Sequence, residues 1–305
     1  MVSGMEKQSY VPPYSKMDTC QAPDPYTKKP NITLPPKACD AHCHVFGPSA
    51  VFPFHRDRSY TPPDAGKELL KSLHKKLGFE RAVIVQATCH GDDNSAMLDA
   101  IASSGGSYKG IAMVNETITE KELEGLHAGG VRGTRFSFAR HLSGQPDFEK
   151  VRRVTQKYAP LGWHAVLYLE AEDIIEYTKE ITTLPVPVVI DHMARFKVLD
   201  GLKQNAFQRI LEFVRNDDFW VKISGAERLS NTHYPFDDIV PFARALIEAA
   251  PDRIIWGTDW PHPNILGQMP NDGDLVDMLE KYAPDKEIRD RITVHNPAQL
   301  YGFDA

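Results

Sequence analysis

Apolar residues in this chain come in short blocks rather than long ones. From Lys37 onward they recur at CDAHCHV (39–45), RAVIVQA (81–87), GIAMV (110–114), GVRGTRFSF (130–138), HAVLYL (164–169), VPVVIDH (186–192), FWVKISG (219–225) and RIIWGTD (253–259). Blocks of this length, rich in β-branched residues, read as strands buried on both faces. Between them, 66–77, 93–103, 119–128, 147–159, 171–182, 202–215 and 236–249 carry apolar residues at helical spacing, with further helical segments near 274–283 and 286–295. Eight strands alternating strictly with helices favour an α/β fold closed into a (β/α)8 TIM barrel over an open doubly wound sheet. No G-x-G-x-x-G follows a strand, which argues against a dinucleotide site.

Residues 1–37 stand outside the alternation. Pro12, Pro13, Pro23, Pro25, Pro30, Pro35 and Pro36 crowd this stretch, so it reads as an irregular N-terminal arm, ordered only where it packs on the body. Residues 38–305 then form a single barrel domain. At 305 residues and 42% hydrophobic content, the chain can fill one core of that size. The net charge of −6 comes without a concentrated basic face, so a nucleic-acid partner is not expected. An anionic substrate would need a local group of arginines. Cys20, Cys39, Cys43 and Cys89 are too scattered for a disulfide framework and read as reduced thiols. With no apolar leader and no run long enough to span a bilayer, a soluble cytoplasmic protein without a membrane partner is expected. Homo-oligomerisation stays open.

The chemistry-bearing residues fall at the ends of the expected strands. His42 and His44 lie two apart in the first, where side chains share a face. By the same period Asp40 should share that face one step deeper, and Cys43 should point away. The sixth strand ends in Asp191-His192 and the eighth in Asp259, with His262 close behind. Strand ends of a barrel converge on one mouth, where active sites sit. Arg135 lies in the fourth strand, followed by Arg140 and His141; Arg195 follows His192 and Arg228 follows the seventh strand. Guanidinium forks bind carboxylate or sulfonate oxygens, so this group suits a small polyanion. Tyr60, Thr88 and Tyr168 are candidate hydroxyl donors. His55, His74, His127 and His233 stand outside any motif and read as solvated, His90 either as lining the mouth or as structuring its loop, and Trp163, Trp220 and Trp256 as packing.

At these residues the chain resembles a known group. DAHCHVFGP, VIVQATCHG, the strand ending IDHMAR and the block IIWGTDWPHPN resemble the 2-pyrone-4,6-dicarboxylate lactonases and 4-sulfomuconolactone hydrolases of the amidohydrolase superfamily. The resemblance runs from about Cys39 to Tyr301. It implies hydrolysis of a small anionic lactone in aromatic-compound degradation, with Asp259 activating water. It further implies that His42, His44 and His192 polarise the carbonyl, while Arg135, Arg195, Arg228, Tyr60 and Tyr168 contact substrate. Thr88 stands where the lactonase pattern has serine, and His141 where it has a substrate-contacting arginine. Ser224-Gly225-Ala226-Glu227 departs from the pattern before Arg228. These departures bear on the substrate, not the reaction.

On the residues alone, His42, His44, His192 and Asp259 suit one tetrahedral Zn²⁺ with room for water. The resemblance implies the opposite, because these lactonases work without metal. No lysine ends the fourth strand, where binuclear relatives carry a bridging carbamate, so a binuclear centre is not expected. No cofactor and one Zn²⁺ therefore stay open. The rival functions are a metal-dependent decarboxylase of the same superfamily and a non-catalytic small-anion-binding barrel. Asp259 argues against the second, since a carboxylate in the pocket opposes anion binding.

Overall fold

The structure is a computed structural model that describes residues 20–142, 144–265 and 267–304. In chain order it runs β1 (Cys39–Cys43), α1 (Lys67–Leu77), β2 (Arg81–Val85), α2 (Ser95–Ala102), β3 (Tyr108–Ala112), α3 (Glu120–Ala128), β4 (Val131–Ser137), α4 (Phe148–Tyr158), β5 (His164–Tyr168) and the pair α5 (Ala171–Glu176) and α6 (Thr178–Thr182). It continues with β6 (Val188–Ile190), α7 (Asn205–Val214), β7 (Phe219–Lys222), α8 (Ala226–Leu229), α9 (Val240–Ala249), β8 (Ile254–Ile255), α10 (Asp272–Tyr282), α11 (Lys286–Asp290) and α12 (Asn296–Tyr301). Each strand pairs in parallel with the next, from β1 through β8. Ala41 N donates to Trp256 O at 3.0 Å, which draws the two edge strands together. The (β/α)8 barrel expected from the alternation is the fold.

Local sequence accounts for the helix limits. Thr119 and Glu122 form a reciprocal capping box at the start of α3. The single helix expected over 171–182 is broken at Tyr177. There Thr178 Oγ1 turns back to the carbonyl of Ile174 at 2.7 Å, a side-chain bond that competes with the helix ladder.

The barrel interior is apolar at its base, where Cys39, Val83, Ile111, Val166, Val189 and Ile255 pack with Tyr301 and Phe303 from the C-terminus. The opposite strand faces pack on the helices in a second, larger core. Trp163, Trp220 and Trp256 are all buried, as expected.

β1 departs from regular alternation. Asp40 pairs with Ala82 and Cys43 with Ile84, so three residues of β1 span two of β2. This bulge turns Asp40 to the outer face, where its Oδ2 lies 3.2 Å from His74 Nε2 on α1. The expectation that Asp40 shares a face with His42 fails for that reason. Likewise His74 is buried rather than solvated, with Nδ1 2.8 Å from Tyr108 Oη. Cys43 does face away, packing in the outer core.

Of the expected N-terminal arm, residues 1–19 lie outside the described residues. Residues 20–37 form no helix or strand. They are held to α10, with Lys28 N donating to Asn271 Oδ1 at 2.9 Å and Asn31 N to Asp277 Oδ1 at 2.7 Å.

Candidate active site

The bulge sets the site. It leaves His42 facing inward, and just past the strand His44 follows it. Gly257 lies against the bulge, where a Cβ would come within 2.3 Å of His42 N; only glycine passes there. Asp259 is drawn to the same point by its backbone, since its N–H donates to His42 O at 2.8 Å.

β6 and β8 end earlier than their sequence blocks, at Ile190 and Ile255. Asp191, His192 and Asp259 therefore sit in the turns that follow. His192, Met193, Ala194 and Arg195 all have φ between 45° and 54°, and Asp259 has φ 65°. Such left-handed conformations are costly outside glycine and concentrate at functional sites, where the surroundings enforce them.

Asp259 Oδ1 is the point of convergence. It lies 3.2 Å from His44 Nε2, 3.5 Å from His42 Nε2 and 3.9 Å from His192 Nε2. Oδ2 accepts from Arg228 Nε at 2.5 Å. Burial pushes the Asp259 carboxyl up, but Arg228 and the histidines pull it well below the usual range, so it is ionised. His44 Nδ1 faces the carbonyl of Val85 at 2.7 Å. A carbonyl only accepts, so Nδ1 carries the proton and Nε2 can share one with Asp259. Burial lowers His192 to about 4, and it is neutral.

The cavity above this centre is lined by His44, Tyr60, Arg135, His141, Tyr168, His192, Arg228 and Asp259, with Leu142, Pro263 and Asn264. His42 forms the floor beneath, with no exposed surface. Arg135 Nε donates to Asp191 Oδ2 at 3.1 Å and Arg195 Nε to Glu170 Oε2 at 3.2 Å. Arg195 Nη1 also donates to Tyr168 Oη at 3.0 Å. Both guanidiniums lie against the Tyr168 ring, at 4.6 Å for Arg135 and 5.8 Å for Arg195. His141 meets the same ring edge-on, 5.8 Å between centroids. Burial, with Arg195 and Arg228 nearby, lowers His141 to about 3; it cannot supply the charge of an arginine.

Some sequence candidates fall outside the cavity. Thr88 is not among the residues lining the cavity that Tyr60 lines, and its buried Oγ1 has no hydrogen-bond partner among the described residues. Arg140 is turned outward to Asp173. His262 is fully buried below the rim, with Nε2 3.0 Å from Asp272 Oδ1. Burial alone would lower it, but Asp272 and Glu227 raise it to about 10. Burial pushes Asp272 up in turn, and Glu227 Oε1 flanks the other side of His262, 3.6 Å from Nδ1. His90 is buried with Nδ1 3.3 Å from Pro53 O, in a loop.

Three residues at the centre escaped sequence reasoning. Lys222 ends β7 with no exposed surface, 3.0 Å from Asp191 Oδ1 and 3.0 Å from His42 Nδ1. In the sequence Asp191 stands out only as the neighbour of His192. Burial pushes its carboxyl up, yet Lys222, His42 and Arg135 hold it well below the ordinary range. Ser224 Oγ lies 3.0 Å from His192 Nδ1. A signal existed for Lys222: it is a charge on the inward period of an otherwise apolar strand, FWVK.

His42, His44 and Asp259 bring ligand atoms close enough for one ion, and His192 stands beside them. The charges and protons do not fit one. Arg228 already holds Oδ2 of Asp259, so a dication would sit between buried cations. A zinc ion also needs a lone pair on His42 Nε2, while Lys222 needs one on Nδ1; a neutral imidazole has only one.

The amidohydrolase family matches residues 39–303. The chain belongs to that family. It is 47% identical over 282 residues to a 2-pyrone-4,6-dicarboxylate hydrolase of Comamonas testosteroni, covering 90% of this chain and 92% of that protein. It is 39% identical to a 4-sulfomuconolactone hydrolase of Rhizobium radiobacter, covering 97% and 98%. A solved structure of a probable 2-pyrone-4,6-dicarboxylic acid hydrolase from Acinetobacter baumannii, with citric acid bound, superposes with a TM-score of 0.76 at 27% identity, over 88% of this chain and all of that one. No helix among the described residues is long and apolar enough to cross a membrane.

Proposed function

We propose that this chain hydrolyses the ring ester of a small polyanionic lactone, of the 2-pyrone-4,6-dicarboxylate or 4-sulfomuconolactone type. The observation that carries the reading is the ionised Asp259, buried among three imidazoles at the floor of an arginine-lined cavity. The relatives acting on such lactones, and the one with a tricarboxylic acid bound, support it.

Water held at Asp259 attacks the ring carbonyl and gives up its proton, shared between Asp259 Oδ1 and His44 Nε2. Such sharing offsets the weak basicity of a carboxylate whose pKa lies so low. The oxyanion is stabilised by donors already in place, His192 and the guanidiniums of Arg135 and Arg228. The carbonyl–ring oxygen bond then breaks, and the proton returns to the departing oxygen. Arg195, Tyr60 and Tyr168 hold the acid groups of the substrate. No metal takes part in this scheme.

Purified protein offered each lactone should open at least one of them, followed by loss of the ring chromophore and release of acid. No turnover of either would sink the reading, and release of CO₂ would replace it with a decarboxylase. Asp259→Asn should remove nearly all turnover while binding substrate as well or better, because a negative charge leaves the pocket. A variant keeping about a tenth of wild-type kcat would show that another group is the base.

A further inference from the structure

We infer that Lys222 is a positioning residue that fixes the proton of His42 on Nε2, so that His42 serves the site as a hydrogen-bond donor and is barred from acting as a metal ligand. The inference concerns the floor of the site. Only its effect on turnover rests on the lactonase reading.

Two groups approach His42 Nδ1, and they demand opposite protonation. Lys222 Nζ lies 3.0 Å away in hydrogen-bonding geometry. Asp191 Oδ1 lies 3.3 Å away and makes no hydrogen bond of acceptable angle. An ammonium has only donors and a carboxylate only acceptors. With Lys222 the nearer and better aligned, Nδ1 is the accepting nitrogen and Nε2 carries the proton. That nitrogen is buried, has no other hydrogen-bond partner among the described residues, and faces Asp259 Oδ1 from 3.5 Å below. The donor is thus unspent in the resting site and aimed at the carboxylate that accepts the water proton.

The alternative arrangement is built in beside it. Histidines that bind metal through one nitrogen commonly donate the other N–H to a carboxylate. Asp191 is placed to be that carboxylate, and Lys222 stands in its way. Without Lys222 the Nδ1 proton has an acceptor in Asp191, and the Nε2 lone pair joins His44 Nε2 and Asp259 Oδ1 around one point. Arg135 would still neutralise Asp191, so the change does not strand a buried charge.

Nitrogen-15 spectra of histidine-labelled protein decide this without turnover, the His42 signals being identified by their loss in His42→Asn. The expected wild-type result is a protonated Nε2 and an unprotonated Nδ1; a protonated Nδ1 in the wild type overturns the inference. Lys222→Met should reverse the two nitrogens and lower kcat at least about tenfold with little change in KM. Titrated with Zn²⁺ alone, it should take up about one ion per chain where the wild type takes up almost none. Lys222→Gln, whose amide can still donate, should keep the wild-type tautomer and exclude zinc. Equal zinc uptake by wild type and both variants would overturn the inference. Should Lys222→Met not fold, the wild-type spectrum and Lys222→Gln still decide. A wild-type tautomer as expected, in a protein that opens no lactone, would leave Lys222 in its role and remove only the proposed reaction.

Discussion

Two carboxylates with no exposed surface, Asp40 and Asp191, flank the same histidine from opposite faces of the barrel wall. Asp40, on the outer face, accepts from Thr258 N, Thr258 Oγ1 and His42 N, and meets His74 Nε2. Thr258 and His42 both belong to the segments that present Asp259 and the histidines. Asp191, on the inner face, is held by the charges of Arg135 and Lys222. One carboxylate fixes backbone with hydrogen bonds, and the other balances buried charge. The same residue type thus does mechanical work on one side of the strand and electrostatic work on the other.

The contrast breaks if both positions respond alike to loss of charge. Asp191→Asn should cost the most, about 3–5 kcal/mol of unfolding free energy, because Arg135 and Lys222 remain buried without a counter-ion; denaturant unfolding would measure it. Asp40→Asn should cost about 1.5–3 kcal/mol, the scale of charge-assisted hydrogen bonds. It should lower kcat as the turn carrying Asp259 loosens. Comparable losses at the two sites would mean that burial alone governs both.

His262 sharpens the comparison with a third buried carboxylate, Asp272, whose partner can lose its charge. Its folded-state pKa is raised from 6.5 to about 10, so its contribution is complete below about pH 6.5 and fades as pH rises through about 10. Wild-type Tm should therefore fall more steeply between pH 7 and 10 than that of His262→Gln, and parallel curves would show that the pair holds no proton. The smallest effect is expected for Thr258→Val, which removes the 2.6 Å bond to Asp40 Oδ2 and the 3.0 Å bond to Trp260 N. About 1–2 kcal/mol is expected from hydrogen bonds of this kind. A change within about 0.3 kcal/mol would show that Asp40 does not need Thr258.

The barrel and much of its mouth were legible in the sequence because both rest on period. Eight apolar blocks mark eight strands, and polar residues closing three of them mark where His44, His192 and Asp259 gather. What escaped depends on pairing. The bulge of β1 exists only against β2, and it alone sends Asp40 outward to His74. Lys222 carried a visible signal on β7, yet its meaning needs the distances to His42 and Asp191. His262 sits in the same block as Asp259 but points below the rim, because the turn after Asp259 is left-handed at His262 as well. Sequence proximity could not show that.

Tyr168 acts as a spacer between two guanidiniums. Arg135 and Arg195 lean on one phenol ring and are each tethered by Nε to a carboxylate, so their separation is set by a rigid body rather than by flexible stems. If both forks take acid groups of the proposed substrate, a ligand with two of them would meet a gauge of fixed width. Two anions of equal charge but unequal acid-to-acid distance would then be told apart by fit. A smaller side chain at Tyr168 would let both forks drift, trading selectivity between lactones for tolerance of either.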